Sequence, residues 1–248
     1  MSMTLEQMFY GCSAALKERA GSQLAFLSKL TEKEMKEILS TADAKSIREL
    51  NQLMLELQDW RDRRPIDFYD PAGKPQEEFH RSLKTLRVLL GANNSAKTST
   101  GGVESIWFST GKHPYRGRIE PCHGWVTSVD FATSKFVVEK KFFEWCPKED
   151  IKSWYEKDRL VELYNGSTIQ FKSADSGREK FQGQRIRWAW IDEEVDKEIF
   201  EEIQARQMAN QDLDIWMTLT PLKGLTWIYN DIFEVYEDYE NERLRTVK

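Results

Sequence analysis

The chain has few of the features that mark secreted, disulfide-rich or membrane proteins. Its 248 residues include only three cysteines, Cys12, Cys122 and Cys146, which are widely spaced, show no metal-ligand pattern and leave one thiol unpaired. No apolar run is long enough to span a bilayer, and no segment near the N-terminus is typical of a signal peptide. We therefore expect a soluble intracellular protein with reduced cysteines and no membrane contact.

The sequence also lacks a strong charge of one sign, internal repeats and low-complexity tracts. Its net charge of −5 at neutral pH argues against nucleic-acid binding by the whole surface, so any such contact must be a local basic patch. The basic candidates are scattered and are more simply interpreted as solvated faces; they are Lys112, Arg116, Arg118, Lys140 and Lys141. The length suits one large α/β domain with an extension.

The first 64 residues differ in composition from those that follow. They are rich in Leu, Glu, Lys and Ala, and from Thr4 to Arg64 they contain no proline and no strand-like alternation, which indicates helices. Prolines, a glycine and two aromatic residues then cluster at 65–75 and mark a linker. The sequence predicts a helical extension at 1–64 and a core at 65–240.

The core shows strands that alternate with helical patterns. Such alternation predicts a mainly parallel sheet flanked by helices, with functional sites at the carboxyl ends of the strands. The dipeptide Asn165-Gly166 is a strong signal for a two-residue hairpin between the strands that flank it. The predicted strands are 86–90, 124–130, 159–164, 167–172, 186–191 and 214–219, and the predicted helix is 98–110.

A phosphate-binding loop follows the first of these strands. Residues 91–98 match the pattern of glycine, four residues, glycine, lysine and a hydroxyl residue, except that Ala96 replaces the second glycine. In such loops backbone N–H groups surround the phosphates, the lysine binds the outer phosphates, and the hydroxyl ligates magnesium. The alternative is a polar turn with a solvated lysine.

A pair of carboxylates ends the apolar strand 186–191. Asp192 then lies where it can reach magnesium from the Thr98 side or through a water, and Glu193 lies where it can polarise an attacking water. Alternatively, these residues and Glu194 form the acidic first turn of the next helix, where the helix dipole favours negative charge. The upstream phosphate loop favours the catalytic interpretation.

Hydroxyl residues end the strand 214–219. Thr218 and Thr220, which precedes Pro221, can sense the γ-phosphate of a nucleotide and pass its loss to a neighbouring segment. The alternative is an ordinary strand with β-branched residues and a turn proline.

Together these motifs resemble the ATPase domain of the large terminase subunit of tailed bacteriophages. The resemblance covers about residues 65–235, in the right order, and the combination is far more specific than any single motif. The stretches that carry it are 91–107, 111–114, 124–126, 177–183, 191–194 and 220–227.

The resemblance implies a fold and an activity. The fold is a P-loop NTPase of the additional-strand catalytic-glutamate type, with a helical N-terminal extension. The activity is hydrolysis of ATP with Mg²⁺, coupled to translocation of double-stranded DNA into a procapsid. The implied partners are double-stranded DNA, the portal protein, the small terminase subunit and further copies of the chain in a ring, with a monomer when isolated. The implied location is the host cytoplasm and, transiently, the portal vertex.

The resemblance also implies roles for individual residues. Lys97 and Glu193 are catalytic, Thr98 and Asp192 contact the metal, and Thr218 and Thr220 couple hydrolysis to movement. Gln76 is similar to the adenine-reading glutamine of the family, and Phe68 or Tyr69 can stack on the base; alternatively, Gln76 starts a helix and the aromatic residues hold the linker. The implied nucleotide-binding residues are Gln76, Tyr69, Gly91, Ala92, Asn93, Asn94, Ser95, Ala96, Lys97 and Thr98.

Two residues depart from the family pattern. Ala96 replaces a loop glycine, although this family is looser there than other P-loop proteins. Many relatives place an arginine finger directly before the glycine equivalent to Gly183, where this chain has Gln182. Arg178, four residues earlier, is our candidate finger, with Arg185 as its substitute.

Two other functions fit the motifs. One is a different nucleic-acid translocase of helicase type, which would need a second motor domain. The other is a nucleotide-gated assembly module with little activity alone. Large terminases also carry a C-terminal nuclease, so we expect residues 241–248 to begin a linker to that domain, with the chain truncated there.

Overall fold

A computed structural model divides the chain into two compact units, residues 1–69 and 70–248. The residues that it describes are 31, 33–34, 36, 40, 44–117, 119–209, 213–220 and 226–234. Most of the predicted extension, residues 221–225 of the stretch 220–227, Arg118 and the predicted linker at 241–248 therefore lie outside the described residues.

The first unit contains a long helix, α1 (Ala44–Arg63), followed by a short 3₁₀ turn, Pro65–Phe68. The helix ends before the proline, as expected, because the residue before a proline disfavours helical backbone. The turn packs on the end of α1: the Trp60 and Phe68 rings meet edge to face at 5.2 Å, and Trp60 Nε1 donates to Asp67. The described part of 1–64 is thus largely helical, and the predicted bounds of the extension stay a prediction.

The second unit is a sheet of seven strands flanked by helices. The strands are β1 (Leu86–Leu90), β2 (His123–Ser128), β3 (Ile151–Tyr155), β4 (Leu160–Leu163), β5 (Thr168–Ser173), β6 (Trp188–Asp192) and β7 (Asp214–Leu219). The helices are α2 (Lys74–Arg81), α3 (Lys97–Thr110), α4 (Glu139–Trp145) and α5 (Lys197–Ala209). The short helix Phe131–Thr133 and a π-helical segment, Ser134–Val138, precede α4.

The strand order is β1-β7-β6-β2-β5-β4-β3. The first five strands in this order are mutually parallel, and β4 and β3 extend the sheet as antiparallel strands. The predicted mainly parallel α/β fold is confirmed. This order brings the carboxyl ends of β1, β7 and β6, where the three sequence motifs lie, side by side.

The antiparallel hairpin of β4 and β5 forms at the predicted Asn165-Gly166 dipeptide. Gly166 has a φ of +91°, a conformation that glycine adopts without a steric penalty. The Asn165 side chain accepts from the N–H of Ser167 and donates to Ser109 O, which fixes the turn against the end of α3. Strand β3, which pairs with β4, is not among the predicted strands.

Close backbone approach holds α3 on the sheet. A Cβ at Gly101 would lie 2.3 Å from the Trp190 ring, so only glycine lets the helix approach this strand. The ring of Trp190 is fully buried there, and its indole N–H donates to Thr218 Oγ1 at 2.7 Å. The opposite face of the sheet packs on α5 through an apolar cluster that includes Ile191, Met217 and Ile203. The N-terminus of α3 is therefore fixed relative to the ends of β6 and β7.

Within the described residues, no helix is long and apolar enough to cross a membrane. Cys122 is partly buried and Cys146 is buried.

Candidate nucleotide-binding site

The predicted phosphate loop connects β1 to α3 with two residues in the left-handed region. Asn94 has a φ of +63° and Ala96 a φ of +60°. Alanine in this conformation costs roughly 1–2 kcal/mol relative to its preferred backbone. The chain thus keeps at Ala96 the backbone conformation that glycine provides more easily. Gly91 is constrained differently, since a Cβ there would lie 2.4 Å from Ser95 Oγ.

Lys97 and Thr98 are the first two residues of α3. The Lys97 side chain is largely buried, and its Nζ donates to Ala92 O at 2.9 Å, so the ammonium group lies over the loop. The N-terminus of a helix presents unpaired backbone N–H groups and a positive dipole, which favour phosphate. The loop, the helix N-terminus and the lysine together form a cradle for an anion.

Asp192 ends β6 and contacts residues from two other motifs. Its Oδ1 accepts from Thr218 Oγ1 at 2.7 Å, and Thr98 Oγ1 lies 3.3 Å from the same oxygen. Burial raises the pKa of Asp192 to about 6, and the negative charge of Glu193 adds to the increase. The hydrogen bond from Thr218 acts in the opposite direction and lowers the pKa. The charge of Lys97 only partly offsets the increase, and carboxylates with strongly perturbed pKa values are concentrated at functional sites.

Glu193 follows with a φ of +66°, in the left-handed region. Its N–H donates to Thr218 O, and its two carboxylate oxygens accept from Thr220, one from the backbone N–H at 2.8 Å and one from Oγ1 at 2.9 Å. Thr220 Oγ1 also lies 3.4 Å from Asn93 Oδ1 of the loop. Such strained backbone at a functional position persists because surrounding contacts fix it.

The alternative interpretation of the carboxylates as the first turn of a helix is wrong. The next helix, α5, begins at Lys197, so Asp192, Glu193 and Glu194 precede it. Instead, the structure brings together residues predicted from three separate segments, namely the loop, the carboxylate pair and the hydroxyl pair. Their roles in binding and catalysis stay predictions.

Magnesium is the metal that the motifs imply, and the residues present fit it. Mg²⁺ is usually bound by one or two carboxylates together with substrate phosphates and waters. Asp192 and Thr98 supply one buried carboxylate and one hydroxyl within 3.3 Å of each other, beside the anion cradle. Among the described residues, no group of three or more His, Cys, Asp or Glu side chains could hold a metal by itself. A metal at this site would therefore also need ligands from a nucleotide.

Gln76 contacts the loop directly. It lies near the start of α2, is largely buried, and donates from Nε2 to Ser95 O at 2.8 Å. Tyr69 belongs to the other compact unit, where it follows the Pro65–Phe68 turn. The proposed base contacts of both residues stay predictions.

Arg178 lies on a short 3₁₀ turn, Arg178–Phe181, rather than on an α-helix. Its side chain is more than half exposed, and Nε donates to Glu202 on α5 at 2.8 Å. Arg185 is exposed near the amino end of β6, whereas the loop lies at the carboxyl ends of the parallel strands. That position does not favour Arg185 as a substitute finger for the same chain's own site.

A buried ionic cluster, which the sequence motifs did not predict, lies beside this site. Glu104 of α3 is fully buried and contacts His80, Arg87 and His113, which come from three other segments. Two features of the sequence could have indicated this cluster. Glu104 lies inside an otherwise weakly polar helix, and His80 lies one helical turn after Gln76.

Comparisons with known proteins agree with this geometry. The family described as terminase large subunit, T4likevirus-type, N-terminal, matches residues 88–245. No curated protein matches the chain.

Solved structures of large terminases share the fold, among them the two that follow. The large terminase ATPase domain of Thermus phage P74-26 is 19% identical, with a TM-score of 0.54 over 66% of this chain and 69% of that one. The large terminase of the thermophilic bacteriophage D6E is 13% identical, with a TM-score of 0.56 over 68% of this chain and 44% of that one. This chain thus spans less than half of the D6E protein. Because the family match covers well over half of the chain, the protein belongs to the terminase large-subunit family and contains its N-terminal domain.

Proposed function

We propose that this domain hydrolyses ATP with Mg²⁺ and uses the energy to move double-stranded DNA into a procapsid. The observation that carries the proposal is the contact between motifs: Thr98 and Thr218 both meet Asp192, while Thr220 meets Glu193. An anion cradle, a metal-binding carboxylate and a second carboxylate that can take a proton from water are the groups that phosphoanhydride hydrolysis requires.

Each residue of the site has a distinct role in this reaction. Lys97, already over the loop, would bind the outer phosphates and neutralise charge in the transition state. Asp192 and Thr98 would hold Mg²⁺, which supplies further charge neutralisation when bound. Glu193 would orient the attacking water and accept its proton, for which one carboxylate oxygen must exchange a Thr220 hydrogen bond for the water.

Arg178 is more than half exposed and is bound to Glu202 on α5. This exposure is compatible with a ring of like chains in which a neighbouring copy supplies the finger, with Arg178 as the candidate. The portal protein, the small terminase subunit and DNA complete the proposed assembly, at the portal vertex in the host cytoplasm.

The test is phosphate release from ATP by the purified chain, measured with and without Mg²⁺ and double-stranded DNA over a range of protein concentrations. Glu193→Gln should lower turnover by at least about 100-fold, the scale of general-base catalysis, while ATP still binds. Lys97→Ala should lose both binding and turnover. The matched control is Glu194→Gln, the adjacent carboxylate, which should stay within about two-fold of the parent.

Two results would overturn the proposal. One is full turnover in Glu193→Gln. The other is an equal loss in Glu194→Gln, because that would mean that local charge rather than a positioned base matters.

A further inference from the structure

The buried cluster around Glu104 joins the phosphate-loop helix to three neighbouring segments. The Glu104 carboxylate lies 2.6 Å from His80 Nδ1 of α2, 2.5 Å from Arg87 Nη1 of β1 and 3.1 Å from His113 Nε2, after α3. The side chains of Glu104, His80 and His113 are fully buried, and that of Arg87 is nearly so. Buried charges are stable only when paired and hydrogen-bonded, and this carboxylate accepts from all three neighbours.

The protons of this cluster are fixed by its geometry. The backbone N–H of Tyr115 donates to His113 Nδ1 at 3.2 Å, so the ring proton sits on Nε2 and faces Glu104. His80 likewise donates from Nδ1, because a carboxylate can only accept. Burial by itself would raise the pKa of Glu104, but the bonds from His113 and His80 and the charge of Arg87 bring it well below its usual range. The cluster therefore holds an ionised carboxylate.

His80 is one helical turn from Gln76 on α2, a helix of only eight residues. A helix this short is not stable alone, so contacts at its two ends determine its position. At one end, Gln76 donates to Ser95 O of the loop. At the other end, His80 is bound by Glu104, and Arg87 donates to Phe79 O. The same helix thus contacts the loop through one residue and the loop's own helix through another.

We propose that the His80–Glu104 contact is a positioning device that holds Gln76 against the phosphate loop, so that Gln76 distinguishes adenine from other bases. The inference rests on the proposed function, because it assumes that the loop binds a nucleotide. His80 touches no substrate and acts only through the placement of α2. Loss of this contact should weaken binding of ATP more than binding of GTP, and should leave turnover at saturating ATP largely unchanged.

His113 provides a matched control. It donates to the same carboxylate, and its ring meets Trp107 edge to face at 5.4 Å, as the His80 ring does at 4.8 Å. It lies after α3 and not on α2. His80→Phe and His113→Phe each remove one hydrogen bond from Glu104 and keep an aromatic ring, but only the first removes a side-chain contact of α2 itself. The bond from Arg87 to Phe79 O remains in both variants.

The experiment measures dissociation constants for ATP and GTP with Mg²⁺, together with KM and kcat for ATP. His80→Phe should weaken ATP binding about ten-fold and GTP binding less than two-fold, with kcat within two-fold of the parent. His113→Phe should lower the melting temperature without changing the ratio of ATP to GTP affinity. His80→Asn, which places an amide donor near the position of Nδ1, should restore most of that ratio.

Gln76→Ala provides the second arm. Adding His80→Phe to Gln76→Ala should cause no further loss of ATP affinity, since both changes disrupt one contact. If His80→Phe does not fold, His80→Leu takes its place in both arms. Equal effects of the His80 and His113 variants on the ATP to GTP ratio, or additive losses with Gln76→Ala, would overturn the inference. Failure of the folded parent chain to bind ATP would instead overturn the proposed function.

Discussion

Replacing Asp192 by asparagine should stabilise the metal-free domain at neutral pH although it abolishes ATP hydrolysis. Burial and the charge of Glu193 raise the pKa of Asp192 from its usual 3.8 to about 6, so the ionised carboxylate opposes folding when no metal is bound. Asparagine keeps the shape and the oxygen that accepts from Thr218 Oγ1 at 2.7 Å, but it carries no charge.

The magnitude follows from the change in pKa of about two units, at about 1.4 kcal/mol per unit. Above pH 6 the side chain is ionised in both folded and unfolded states, and the folded state bears the whole difference of about 3 kcal/mol. Below pH 3.8 both states are protonated and the difference disappears. The gain from Asp192→Asn should therefore grow as pH rises between these values, and about half of it should be present at pH 5.

The assay is thermal unfolding of the parent and the variant in EDTA at pH 5 and pH 8. The melting temperature of Asp192→Asn should rise by roughly 6–12 °C at pH 8, because about 1 kcal/mol shifts it by about 2–4 °C in a domain of this size. Asp196→Asn is the matched control, since Asp196 is exposed and should change stability by no more than about 0.5 kcal/mol. With Mg²⁺ and ATP, only the parent should gain stability. An Asp192→Asn variant that is less stable than the parent at pH 8 in EDTA would refute the reasoning.

Three further changes have defined outcomes. Thr220→Val removes the hydroxyl that bonds Glu193 and lies near Asn93, so turnover without DNA should rise several-fold and stimulation by DNA should fall, in a phosphate-release assay. Ala96→Gly removes the strain of an alanine in left-handed backbone, but glycine also makes the unfolded chain more flexible, which opposes the gain. The free energy of unfolding, measured in urea, should therefore increase by up to about 1 kcal/mol. Arg178→Ala should change stability little, because the Arg178 side chain is more than half exposed, yet it should lower turnover at protein concentrations where copies associate. Unchanged turnover at every concentration would exclude Arg178 as the finger.

The position of the site was predictable because its motifs are local in sequence and parallel strands share one edge. The apolar runs before Gly91 and Asp192 form β1 and β6, and the strand 214–219 was predicted to the residue. Each run ends in polar residues, so the topology alone brings them together. The left-handed backbone of Glu193 was not predictable, because tertiary contacts rather than local propensity impose it.

The ionic cluster was not predictable for a different reason. Glu104 is 24 residues from His80, 17 from Arg87 and 9 from His113, and no sequence period links these positions. Only the packing of α2 and β1 against α3 brings them to one carboxylate. The antiparallel β3 was missed because it is short and half exposed, so its hydrophobic pattern is weak.

The strand order determines which parts of the site can move. Strand β7 lies between β1 and β6 and is hydrogen-bonded to both along its length, so two interstrand spacings, about 10 Å, separate the loop strand from the carboxylate strand. That gap cannot widen or narrow without breaking a ladder of backbone hydrogen bonds. The candidate nucleotide site is therefore a rigid frame, and the motion that we propose to accompany hydrolysis must begin in its side chains rather than in the spacing of its strands.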